Sequence, residues 1–103
     1  MREVFESVRD HISDLEDVVI VPLKQGVSFK VFGKRFAYLE PQKSAVRVMI
    51  NNPPSGLDDP FKMCYDISKN GWGRLSWEIK VNGKTDLDKV MLLVKQSYRE
   101  FAD

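Results

Sequence analysis

Val27-Ser28-Phe29-Lys30-Val31-Phe32-Gly33-Lys34-Arg35-Phe36-Ala37-Tyr38-Leu39-Glu40 is the stretch that decides the fold. Two runs rich in β-branched and aromatic residues, Val27 to Phe32 and Arg35 to Glu40, flank Gly33-Lys34. Such side chains suit a pleated, half-buried surface. A two-residue loop beginning with glycine suits a type II′ turn, because glycine accepts the positive φ that the first central position needs. The stretch predicts an antiparallel hairpin in which Phe32 opposes Arg35, Val31 opposes Phe36 and Phe29 opposes Tyr38.

Working outward, Pro41-Gln42-Lys43-Ser44 turns the chain and Ala45 to Asn51 supplies the next strand, with Glu40 opposite Ala45. Upstream, Val18 to Val21 is a β-branched run that stops at Pro22, and Arg2 to Ile12 places Val4, Phe5, Val8 and Ile12 at helical spacing. Downstream, residues 51–73 are rich in turn formers, with Asp59-Pro60 placed to open a short helical turn through Phe61 to Tyr65. Leu75 to Val81 alternates as a strand with one buried face. The last segment reads as a helix with Thr85 as N-cap and Leu87, Val90, Met91, Val94, Tyr98 and Phe101 on one face. The expected fold class is therefore α+β: an antiparallel meander sheet of four to five strands, with N- and C-terminal helices packed on one face.

The chain has 103 residues, 43% hydrophobic and 30% charged, which is one ordinary globular domain covering 1–103. Cys64 is the single cysteine, so no internal disulfide forms, in keeping with a reducing compartment. The acidic residues in MREVFESVRD do not suit a secretory leader. No apolar run approaches the roughly 20 residues of a membrane span. A cytoplasmic protein with no membrane partner is expected.

Charge is unevenly placed. Residues 1–23 set Arg2 and Arg9 against Glu3, Glu6, Asp10, Asp14, Glu16 and Asp17, whereas residues 24–47 set Lys24, Lys30, Lys34, Arg35, Lys43 and Arg47 against Glu40 alone. Carrying the hairpin register through the sheet puts Ala37, Leu39, Val46, Val48 and Ile50 on one face, beneath the helices. The other face receives Phe29, Val31, Phe36, Tyr38, Arg47 and Met49, because residues directly opposite share a face. An aromatic and basic sheet face stacks bases while its cations hold phosphates. The alternative is that the loop from Pro53 to Trp72 folds back over this face and buries Phe29 and Phe36 in a second, smaller core.

Little in the chain resembles catalytic chemistry. His11 is the single histidine and is far in sequence from Cys64, so neither a metal site nor a thiolate–imidazole pair is expected, nor any cofactor. Asp58, Asp59 and Asp66 do not follow a calcium-loop spacing, and turn formation accounts for them. Gly71-Trp72-Gly73-Arg74 is too short for a phosphate loop and reads as a tight turn.

The run Phe29-Lys30 with Gly33-Lys34-Arg35-Phe36-Ala37-Tyr38-Leu39-Glu40-Pro41-Gln42-Lys43, then Leu57-Asp58-Asp59-Pro60, Gly71-Trp72-Gly73 and Asp86-Leu87-Asp88-Lys89-Val90 with Gln96-Ser97-Tyr98, resembles the DUF5655 domains over nearly the whole chain. Members of that family carry the label of predicted transport proteins, and related domains are fused to nuclease-like modules. The chain is also distantly similar to the small YjbR-like α+β proteins, sometimes called DNA-binding. The family's turn usually contains a histidine where this chain has Asn70-Gly71-Trp72-Gly73-Arg74, and the resemblance implies no catalytic residues.

These readings lead to a non-enzymatic binding module for nucleic acid or another anionic partner, with Lys24, Phe29, Lys34, Arg35, Phe36, Tyr38, Arg47, Trp72 and Arg74 as candidate binding residues. A protein–protein adaptor or homodimerisation domain is the second reading. A small-ligand pocket near Trp72 is the third.

Overall fold

The computed structural model describes residues 2–102. Helix α1 (Arg2–Ser13) leads through an acidic link into β1 (Val18–Pro22), β2 (Val27–Val31), β3 (Lys34–Pro41) and β4 (Val46–Asn51). After the long 52–63 connection come β5 (Cys64–Asp66), β6 (Leu75–Val81) and α2 (Leu87–Ala102). The six strands form one antiparallel sheet in the order β1-β2-β3-β4-β6-β5. The fold is α+β as expected, with one strand more than the pattern predicts. Cys64–Asp66 joins the sheet edge beside β6, where a helical turn was expected.

Both helices pack on one sheet face. Val8 and Ile12 of α1 and Val90, Leu93 and Val94 of α2 lie against Leu39, Val48, Ile50, Ile79 and Val81, all essentially inaccessible to water. Removing such side chains from water is worth roughly 1.5–3 kcal/mol each. Asp86 rather than Thr85 caps α2: its carboxylate accepts from Asp88 N–H at 3.0 Å and its carbonyl from Val90 N–H at 3.2 Å. Thr85 Oγ1 instead accepts from Asn82 N–H and closes the turn after β6.

The β2–β3 hairpin departs from the expected register. Val31 pairs with Lys34, so the loop is Phe32-Gly33, with φ of 49° and 78°. Two positive φ values make the type I′ pattern, whose twist matches the flanking strands. A bulge follows: Lys30 pairs with Arg35 but Phe29 with Ala37, leaving Phe36 as the extra residue. The bulge turns Phe36 and Ala37 to the same side, so Phe29 and Phe36 both lie in the core beneath the helices. Between β3 and β4 the register differs from the expected one by two residues, with Tyr38 opposite Met49 and Glu40 opposite Arg47. An even slip preserves the faces, so Ala37, Leu39, Val46, Val48 and Ile50 lie towards the helices as expected.

Candidate functional site

The face away from the helices carries Tyr38, Glu40, Arg47, Met49 and Glu78. Arg47 is bound on both sides: its guanidinium is 4.0 Å from Glu40 and its Nε donates to Glu78 Oε1. Tyr38 OH donates to Glu40 Oε2 at 3.1 Å. Burial first, and then the Glu40 carboxylate, pushes the Tyr38 phenol above its ordinary range. Trp72 lies over this network, stacked on Tyr38 with centroids 6.1 Å apart and 5.0 Å from the Arg47 guanidinium carbon. Gly71 and Gly73, at φ of 78° and 66°, let the chain fold back sharply on either side of it. Ile67, Leu75, Tyr38 and Met49 complete a second small core.

The aromatic sheet face is thus built differently from the expectation. Phe29 and Phe36 are 0% exposed in the helix-side core, and Phe36 meets Tyr98 edge-on at 5.3 Å. The loop does cover the outer face, but over Tyr38 and Met49 rather than over the two phenylalanines. The charge of Arg47 is compensated by two carboxylates. Lys24 lies in the β1–β2 turn, at the opposite end of β2 from Lys34.

Three of the expected residues do converge. Lys34, Arg35 and Arg74 line an open cavity of about 330 Å³ with Asn51 and Phe101. It sits where the β2–β3 hairpin, the end of β4, the start of β6 and the last turn of α2 meet. The bulge leaves backbone groups in need of partners, and two side chains supply them. Asn51 Nδ2 donates to the Arg35 carbonyl at 2.9 Å. Ser97 Oγ donates to the Phe36 carbonyl at 2.6 Å and accepts from Asn51 N–H at 3.1 Å. Lys34 Nζ and Arg74 Cζ each lie 5.4 Å from the Phe101 ring centroid. Arg74 donates to Glu100 at 2.7 Å.

Lys30 extends the cluster, lining with Arg35, Ser28, Val21, Leu23 and Gly33 a second depression on the outer face. It is the direct cross-strand partner of Arg35. Like charges directly opposite are destabilising, and among the described residues neither cation is in an ion pair. Sequence reasoning left out Lys30, Asn51 and Phe101, which gather here only through the bulge and the docking of α2.

Elsewhere the polar groups have local tasks. Asp59 accepts from Met63 and Cys64 N–H, and Asp66 accepts from Ser68, which holds its carboxyl below the usual range. Burial, reinforced by Asp59, pushes the Cys64 thiol up to about 12, so it is protonated at neutral pH. No group of three or more metal-ligating side chains occurs among the described residues. No helix among them is long and apolar enough to cross a membrane.

The chain is 28% identical over 102 residues to an uncharacterised protein of Haemophilus influenzae. The match takes in 97% of this chain but 33% of the relative, so the chain spans about a third of that protein's length. No family model matches the chain, and no solved structure matches it.

Proposed function

We propose that this domain is a non-enzymatic binding module that engages the phosphate backbone of a nucleic acid through Lys30, Lys34 and Arg35, with Arg74 held to Glu100 beside them. One observation carries the reading: Lys30 and Arg35 face each other across two strands with no carboxylate partner among the described residues, beside the cavity that Lys34 and Arg74 line. An arrangement that costs stability in the free protein is relieved by an anion. Nucleic acid fits because three cations spread over two adjoining depressions match a repeating anion better than a single small one. Trp72, half-buried over Tyr38 on the same outer face as Lys30, offers its remaining aromatic surface to an adjacent base. Membership of the DUF5655 domains belongs to the same reading. So does an accessory role, because the Haemophilus protein joins a similar segment to about twice as much further chain.

Fluorescence anisotropy with single- and double-stranded oligonucleotides over a salt series tests this. Affinity should fall as salt rises, and Arg35→Glu with Lys34→Glu should flatten that slope by about one for each lost phosphate contact. Lys24→Glu, at the far end of β2, should leave it nearly unchanged. Absence of binding at low salt, or binding indifferent to the Lys34 and Arg35 reversals, overturns the reading.

A further inference from the structure

The two edges of the sheet are unlike. β5 is a three-residue edge, short enough to offer little to another strand. β1, Val-Val-Ile-Val-Pro, carries no charged residue and no bulge. Val19 is 58% exposed, Ile20 41% and the following Leu23 48%. An exposed, regular, apolar edge is a template for another strand unless something occupies it.

The phase of the β1–β2 ladder shows which backbone groups are open. Leu23 N–H donates to the Gly26 carbonyl at 2.8 Å, which makes that pair hydrogen-bonded. Antiparallel pairs alternate, so Val21–Ser28 and Val19–Lys30 are bonded pairs, while Pro22–Val27, Ile20–Phe29 and Val18–Val31 are not. The polar groups of Val18, Ile20 and Pro22 therefore point away from β2. Pro22, which has no N–H, falls where only an outside strand would use one.

We infer that this edge is occupied by β1 of a second copy of the chain, antiparallel, about a two-fold axis through Ile20 perpendicular to the sheet. Such an axis keeps both pairs of helices on one side. Ile20 exchanges two hydrogen bonds with Ile20 of the second copy, and each Val18 N–H meets the Pro22 carbonyl opposite. Val19 packs on Val21 of the second copy, covering the most exposed valine of the strand.

Charge selects this occupant and this direction. β1 is preceded by Asp14, Glu16 and Asp17 and followed by Lys24. An antiparallel copy sets each acidic end beside the Lys24 end of the other, with Glu16 and Lys24 in the turns that flank the paired strands. A parallel copy would stack like charges. A five-residue edge buries less than the roughly 800 Å² per partner of a standard interface, so the association is weak and concentration-dependent.

Sedimentation equilibrium of the whole chain, without nucleic acid, from micromolar to millimolar concentration should show the average mass climbing towards twice the monomer. Over the same range, exchange of the Val18 and Ile20 amide protons should slow, while Val19 and Val21 stay protected throughout. Val19→Lys, at an exposed position, should hold the protein monomeric with an unchanged circular dichroism spectrum. Lys24→Glu should weaken the dimer several-fold, and Glu16→Lys added to it should restore the affinity. A monomer at millimolar concentration overturns the inference. So does a dimer that survives Val19→Lys, one whose protected amides lie elsewhere, or a failed charge rescue.

Discussion

Phe36 occupies the one position in β3 where alternation is broken. By parity with Tyr38 it belongs on the outer face, yet the bulge turns it inward, against Tyr98 of α2. Its cost on removal follows from that placement. Phe36→Ala should lose about 3–5 kcal/mol in denaturant unfolding, the range for deleting a buried phenylalanine. A phenylalanine standing on an open face would lose only about 0.5 kcal/mol or less. The difference is large enough for one urea titration to decide. The pattern Phe36-Ala37-Tyr38-Leu39 conceals the bulge because all four residues are apolar and all four are buried, two different cores receiving them. Periodicity assigns faces only where one side of a strand is polar.

At the scale of elements, the β2–β3 hairpin positions the cationic cluster, and its turn is under local strain. Phe32 sits at φ 49° with 64% of its surface exposed. A bulky residue in the left-handed region costs about 1–3 kcal/mol, and little burial offsets it here. Asparagine tolerates that conformation and, before glycine, makes the preferred type I′ pair. Phe32→Asn should therefore raise stability by about 1 kcal/mol, read as a higher urea midpoint at unchanged slope. No gain would mean that contacts of Phe32 within the domain offset the strain of its backbone. The helices and long strands were legible in the residues because each has its own period and punctuation. The Phe32-Gly33 turn was misplaced by one residue because Gly33-Lys34 also forms an acceptable loop, and β5 escaped notice because three residues carry no measurable period.

For the molecule as a whole, stability should depend on alkaline pH through Cys64. The folded thiol is held at about 12, above its ordinary value near 9, first by burial and then by Asp59. The unfolded chain therefore releases that proton first. The contribution is fully present below pH 9 and is lost as pH rises towards 12. A thermal melt series across that window should show Cys64→Ala falling less steeply than the native protein, and Cys64 should resist thiol reagents at neutral pH while folded. Equal slopes would mean that the thiol is freer than its surroundings indicate.

The residues by themselves determined the α+β class, both terminal helices, the long strands and the membership of the helix-side face from Ala37 to Ile50. Periodicity and turn chemistry are local, and a two-residue slip between β3 and β4 leaves faces unchanged. They also brought Lys34, Arg35 and Arg74 forward as cations to watch. Only the tertiary structure decided which charges are compensated: Arg47 meets Glu40 and Glu78 from neighbouring strands, while Lys30 and Arg35 meet each other, neither in an ion pair among the described residues. Neutralisation depends on which strands and helices lie side by side, and a bulge at Phe36 with the docking of α2 settles that across long stretches of chain.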